Sequence, residues 1–446
     1  MADDVEKEQT IMDPTSNGDT GNKNEVISTS ESDPQSSENQ QSGYQKGGPV
    51  FDTGLISWLQ VLGSWFCFFN SWGIINTFGV FQTYYEQALP NQTADNIAWI
   101  GSIQSFLLML IGVITGPLFD AGYLKALLTC GTLALSFGLM MTSISTQYWH
   151  LMLAQGVCVG LAAGCLFVPS VAVLPQYFKQ KRGLANGLAA SGSSIGGVIY
   201  PIMFHKLQQE IGYPWATRVL GFVALGTCCI SLSLLRMRFM PTEKRALIQL
   251  SAFKEVHYVL FCVAMFLGFL GFYNFLVYVQ PYAIQTGIVN DNVGFYLLPM
   301  LNAASSFGRI VPNFIADHTG PLNMLAPAAT VTGILALCWL AVHNAPGIII
   351  LAILYGFCSG GFVSLPPVVM VTLTKDIRDL GARLGMFFAS IGIAMLIGTP
   401  IGGAILNETH KYMGVQLFTG CSIIAAAILL LTLRFSRTGL RLFVRA

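Results

Sequence analysis

Gly183-Leu184-Ala185-Asn186-Gly187 opens one apolar stretch of this chain, and Gly381-Ala382-Arg383-Leu384-Gly385 opens another, 198 residues later. The echo extends outward. Gly164 and Pro169 return as Gly361 and Pro366, and Asp120 returns as Asp317, each 197 residues on. Three regions in one register indicate a duplicated unit. Each copy holds six apolar stretches, so the chain reads as two pseudo-repeated six-helix bundles. Internal duplication of this kind in a membrane is the plan of a rocking secondary transporter.

Composition supports a membrane setting. The 446 residues are 53% hydrophobic and 10% charged, against roughly 25% charged in soluble domains. Backbone groups in hydrocarbon must pair internally, which leaves helices or closed barrels. Apolar runs of about 20 residues select helices. The expected spans are about 54–85, 97–119, 124–147, 150–175, 183–204, 214–235, 256–283, 293–316, 322–342, 346–373, 384–406 and 413–433. The expectation is an all-α membrane protein with twelve transmembrane helices. The ten cysteines all fall in apolar stretches without metal-ligand spacing and read as small packing residues, so no metal site is expected.

The domains follow. Residues 1–50 carry ten acids and three lysines, and few large apolar side chains. Such a segment is expected to be a disordered acidic tail. Its serines around Ser28–Ser37 are candidate phosphorylation sites, although a plain solubilising tail is the first reading. Residues 51–235 form the first bundle, 236–255 a basic central loop, 256–435 the second bundle and 436–446 a short tail.

Lys and Arg gather on one side of this plan: Lys125, Lys179, Lys181 and Arg182, five central-loop charges, Lys375, Arg378 and Arg383, and four arginines in the tail. The other side has Lys206, Lys411 and Arg218. The positive-inside rule makes the rich side and both termini cytoplasmic, and the plasma membrane is the expected location. The sequons Asn91-Gln92-Thr93 and Asn407-Glu408-Thr409 both fall in the opposite loops and are candidate glycosylation sites.

Two turns carry recognisable patterns. Gly116-Pro117-Leu118-Phe119-Asp120-Ala121-Gly122-Tyr123 resembles the loop signature of the major facilitator superfamily, with a degenerate second copy around Asp317. Tyr177-Phe178-Lys179-Gln180-Lys181-Arg182-Gly183-Leu184-Ala185-Asn186-Gly187 is similar to the signature of its monocarboxylate porters, and the run Trp58 to Tyr85 has the flavour of fungal members. The resemblance spans 52–440 and implies the major facilitator fold. The porters' other signature is only partly present, as Asp52-Thr53-Gly54 with Trp58 further on. On charge, Asp120 is expected to pair with the basic turn Lys179, Lys181 and Arg182, with Asp317 as its repeat. Together they would form a conformational latch; a solvated turn aspartate is the plainer alternative.

Arg309 is the one fixed charge expected well inside a helix, on a face shared with Asn302, Ser305 and Ser306. Such a charge costs roughly 2.5–3.5 kcal/mol on insertion scales and should face a cavity or partner, unless it snorkels to the helix end. The resemblance implies that it meets a substrate carboxylate, a task suited to a guanidinium. Lactate carriers of that family place an aspartate where this chain has Ser305 and a lysine where it has Asn76, so their proton–lactate route is not expected here. Asn70, Asn76, Gln104, Tyr273 and Asn274 complete the candidate binding set.

No catalytic motif, P-loop or dinucleotide fingerprint is present, so neither an enzyme nor a cofactor is expected. The partners expected are a small organic anion or metabolite and membrane lipid, with proton coupling open and no nucleic acid. The expected function is secondary transport of a small organic acid or acidic secondary metabolite by alternating access. Export is the first reading. Uptake of a monocarboxylate or riboflavin-like nutrient is the second. A non-transporting nutrient sensor is the alternative from another class, and the short C-terminal tail speaks against it.

Overall fold

The computed structural model describes residues 52, 54–238, 250–374, 376 and 379–439, without the side chains of 94 and 95. The expected acidic tail, the centre of the basic loop with Lys244 and Arg245, and positions 375, 378 and 440–446 lie outside the described residues.

Twelve helical spans follow one another. α1 is Leu55–Asn76 continued by Phe78–Ala88. α2 joins Ala94–Leu110 to Gly112–Asp120. α3 is Leu124–Ile144 and α4 runs Tyr148–Gln176. α5 and α6 are the two arms of Arg182–Leu234, parted where Gly212 takes φ 79°. α7 is Val256–Gln285, α8 is Asp291–Thr319 and α9 is Pro321–Ala341. α10 joins Ala345–Ser364 to Pro366–Leu373, α11 is Leu380–Thr409 and α12 is Tyr412–Thr438.

Local chemistry sets the ends. Thr93, Asn290 and Asn344 accept the backbone N–H of Asn96, Val293 and Gly347, capping α2, α8 and α10. Gly320, at φ 101°, turns α8 into α9, and Pro321 starts the new helix. Nine described stretches are long and apolar enough to cross a membrane, and the Arg182–Leu234 stretch holds two spans. The more polar α1 and α8 fall outside those nine. Polar residues in a spanning helix must face protein or cavity, so these two are where function would be sought.

α1–α6 pack into one half and α7–α12 into the other. Ser64 donates from α1 to the carbonyl of Ser170 on α4, and Ser231 from α6 to that of Gly63 on α1. In the second half the rings of Phe275 and Tyr355 stack at 3.9 Å, and Tyr355 donates to the carbonyl of Phe272. The halves meet mainly along two seams, α2 against α11 and α5 against α8. These are pseudo-equivalent, since α8 and α11 are the repeats of α2 and α5.

Candidate functional site

The repeated glycines lie in these seams. A Cβ on Gly116 would collide with the carbonyl of Gly381, and one on Gly385 with that of Gly112. On the other seam a Cβ on Gly187 would collide with the carbonyl of Arg309, and one on Gly183 with that of Asn313. Small residues bring the backbones together, as membrane helix packing requires, but here they do so between halves.

At the basic end each seam is closed by an aspartate on a helix N-terminus. The Asp120 carboxylate accepts the N–H groups of Gly381 at 3.1 Å and Ala382 at 2.8 Å, in the first turn of α11. The Asp317 carboxylate accepts those of Gly183 at 2.6 Å and Leu184 at 2.8 Å, at the start of α5. Free N–H groups and the helix dipole both favour an anion there. These contacts therefore cross between halves. This corrects the expected pairing of Asp120 with Lys179, Lys181 and Arg182 inside the first half: its carboxylate accepts N–H groups that α11 presents across the seam.

The backbone of that basic turn is held by Asp52, which accepts the N–H groups of Lys179, Gln180 and Lys181 at 2.8–3.0 Å. Partial burial pushes the Asp52 carboxyl upward. The three backbone donors and the nearby Arg182 outweigh it and hold the group below the ordinary carboxylate value. The Arg182 Nε donates to the carbonyl of Phe178. In the second half Glu255, just before α7, forms a two-pronged pair with Arg383 of α11 at 2.8 and 3.0 Å.

Between the seams lies a cavity of about 440 Å³, its open mouth included. Phe68 and Trp72 of α1, Met109 of α2, Phe167 of α4 and Ala190 of α5 line it from the first half. Phe269, Val363, Pro366, Phe388 and Ile391 face them from the second, with Arg309. The Phe167 and Phe388 rings meet across the halves at 4.9 Å, and Tyr273 lies nearly parallel to Trp72 at 6.4 Å. A second hollow of about 280 Å³, bordered by Arg182, sits towards the basic end. Asn186 and Pro367 border both spaces and form the partition between them. The Asn186 Nδ2 ties the partition together, donating at 2.6 Å to the carbonyl of Ser364 on α10.

Arg309 is 9% exposed. Its Nε donates to Ser305 Oγ and its Nη1 to the carbonyl of Ala190, both at 3.4 Å. Among the described residues no carboxylate pairs with it. The other buried arginines differ: Arg383 holds Glu255, and the Nε of Arg434 donates to Asn323 at 2.7 Å. A desolvated cation with long, neutral contacts is a candidate anion site.

The other expected binding residues divide. Ser305 supports Arg309, and Tyr273 stands over Trp72. Asn302 donates to the carbonyl of Gly197 across the α5–α8 seam at 3.5 Å, and Asn76 approaches the same glycine. Asn70 is a correction. Its amide donates to Phe66 and Thr227 and accepts from Tyr200 at 2.6 Å, so it is consumed inside the first half. Asn274 donates to the carbonyl of Leu270 and lies against Gly402, away from the cavity. Gln104 is wholly buried, its amide atoms have no hydrogen-bond partner among the described residues, and it does not line the cavity. A polar residue in an apolar run can serve packing as well as binding, and composition does not separate these. Asn91 is in an exposed connection, whereas Asn407 lies in the last turns of α11 rather than in a loop.

Sequence reasoning missed Asn186, Ser364 and the aromatic walls. Pro366-Pro367 inside an apolar run was the available signal for the break beside them.

Comparison with known proteins agrees with this architecture. The family model of the Major Facilitator Superfamily matches residues 60–343 and 303–442. The chain is 46% identical over 380 residues to the MFS-type transporter dbaD of Emericella nidulans, covering 84% of this chain and 86% of that protein. It is 37% identical to the aspyridones efflux protein apdF of the same organism, over 85% and 78%. It is 36% identical to the fujikurins efflux protein of Gibberella fujikuroi, over 98% and 95%. Among solved structures, the human organic anion transporter MFSD10 superposes with a TM-score of 0.67 at 13% identity, covering 84% of this chain and 98% of that one. FucP in the outward conformation gives 0.64 at 14%, over 84% and 98%. These two likenesses concern the fold. With a duplicated six-helix unit, two pseudo-equivalent seams and a cavity between halves, this chain is a multi-pass membrane transporter and belongs to the Major Facilitator Superfamily.

Proposed function

We propose that the protein exports a small organic anion, an acidic secondary metabolite, by alternating access. Arg309 carries this reading: a buried guanidinium without a carboxylate partner among the described residues, lining the space between the two halves. Relatives named as efflux proteins for aspyridones, fujikurins and agnestins support export over uptake.

In this reading the basic end is cytoplasmic, with both termini, and the protein works in the plasma membrane. The Lys/Arg asymmetry supports that orientation. The structure then stands closed to the cytoplasm. Asp120, Asp317 and the seam glycines form the closed contact, and Asn186 and Pro367 lie between the cargo site and the cytoplasmic hollow. Opening that end would break the four aspartate hydrogen bonds and admit cargo from inside. A membrane proton gradient is the proposed driving force. The division into an acidic tail over 1–50, bundles over 51–235 and 256–435, the loop 236–255 and the tail 436–446 belongs to the same proposal, and the helix ranges support it.

A deletion strain tests the reading. It should retain an acidic metabolite in the cells that the parent strain releases to the medium. Equal release by both strains would overturn export.

A further inference from the structure

The break in α10 exposes something the family plan does not require. Helix Ala345–Ser364 ends and Pro366–Leu373 begins on either side of Leu365. In a regular helix the carbonyl of Val363 would accept from the N–H three or four residues on. Those positions are Pro366 and Pro367, and neither has an N–H. The next donor, Val368, is used by the carbonyl of Leu365 at 2.9 Å. The carbonyl of Phe362 is similarly orphaned, because Leu365 donates to Gly361 and the next residue is Pro366. Ser364 loses its own helical donor too, and Asn186 replaces it from the other half. Val363 has no such replacement among the described residues.

A carbonyl without a donor is tolerated inside a membrane protein only where it meets protein donors or water-filled space. Val363, Ser364, Pro366 and Pro367 line the central cavity together with Arg309. The cavity is thus lined by Arg309 and by the residues of the α10 break. Arg309 offers only donors. The α10 break offers an acceptor, held in place by the proline pair. Between them the walls are Phe68, Trp72, Phe167, Phe269 and Phe388, which suit a flat conjugated body.

We infer that the break in α10 is a second cargo subsite, an acceptor for a hydroxyl or N–H group, so that the cargo is a hydroxylated aromatic monoanion. This rests on the anion-carrier reading: Arg309 takes the acidic group, and the Val363 carbonyl takes the donor. The proline pair then serves recognition as well as helix geometry.

Three acids separate the possibilities: 2-naphthoate, 6-hydroxy-2-naphthoate and 6-methoxy-2-naphthoate. They share the anion and the ring, and only the hydroxy acid can donate from the far end. Their dissociation constants would be measured by calorimetry on the purified full-length protein and on Pro367→Ala, which restores an N–H for the Val363 carbonyl. The hydroxy acid should bind the wild type about five-fold tighter than either of the others, in the range of one neutral hydrogen bond. In Pro367→Ala that ratio should fall towards one. The wild-type comparison stands alone if the variant does not fold. Equal binding of all three acids, a methoxy acid as tight as the hydroxy acid, or a ratio unchanged in folded Pro367→Ala would overturn the subsite and leave the anion reading intact. No binding of any of the acids would overturn the anion reading itself.

Discussion

Asp317 at the end of α8 accepts the Gly183 N–H at the start of α5 at 2.6 Å, and this bond joins the two halves of the transporter. Its pseudo-equivalent joins Asp120 to Gly381 at 3.1 Å. The two contacts are one device used twice, although the sequence around Asp317 has drifted from that around Asp120. Each is a carboxylate on helix N–H groups, and in the proposed cycle each would be lost when the basic end opens.

Asp317→Asn and Asp120→Asn should therefore bias the carrier the same way, towards the state open at the basic end. Removing the charge weakens two charge-assisted bonds, on the order of 1 kcal/mol for a half-exposed group, which moves a balanced equilibrium about five-fold. A cysteine at Leu384, in a background without other reactive cysteines, should label faster from the basic side in both variants. An effect of Asp120→Asn alone would show that the second copy is vestigial.

Gly116→Ala should act more strongly. Its Cβ would enter the carbonyl of Gly381, an atom of the opposite half that cannot rotate away. Overpacking of this kind costs about 1–3 kcal/mol, and the strain falls only on the closed state. Expression and heat stability should stay near wild type while the Leu384 position becomes persistently reactive. Loss of folded protein would instead place the clash within the folding of a single half.

Asp52 makes a prediction about pH. Its carboxyl is held below 3.8, the ordinary value for this group, mainly because backbone donors outweigh the upward push of burial. A lowered folded value means that the stabilisation is complete above the unfolded pKa and disappears as pH falls through the folded one. Wild type should melt slightly above Asp52→Asn at pH 7, and the two curves should converge below about pH 3.8. A gap that persists in acid would assign the effect to shape rather than charge.

The fold was legible because hydrophobic runs and a repeat register report directly on spans and halves. Gly183 and Gly381 marked the repeat register, but that they lie in the seams between the halves was not read from it. Arg309 was legible because a charge in an apolar helix has few explanations. The partner of Asp120 was not. Lys179, Lys181 and Arg182 lie nearby in the plan, but the carboxylate answers to the N–H groups of α11, which carry no side-chain signal. Asn70, Asn274 and Gln104 look like Asn302 in sequence. Tyr200 and Thr227 absorb Asn70 through contacts 130 and 157 residues away. Long-range pairings of this kind decide which amides are taken up in packing, and one sequence does not display them.

The account turns on Arg309. Inside-out vesicles containing wild type, Arg309→Lys or Arg309→Ala, matched for protein amount, would be assayed for uptake of the labelled metabolite that the deletion strain retains. Arg309→Lys keeps the charge but loses the planar fork, and Arg309→Ala loses both. The account predicts folded protein in all three, transport reduced at least about ten-fold in Arg309→Lys, and transport near background in Arg309→Ala. Wild-type rates in Arg309→Ala vesicles would contradict it.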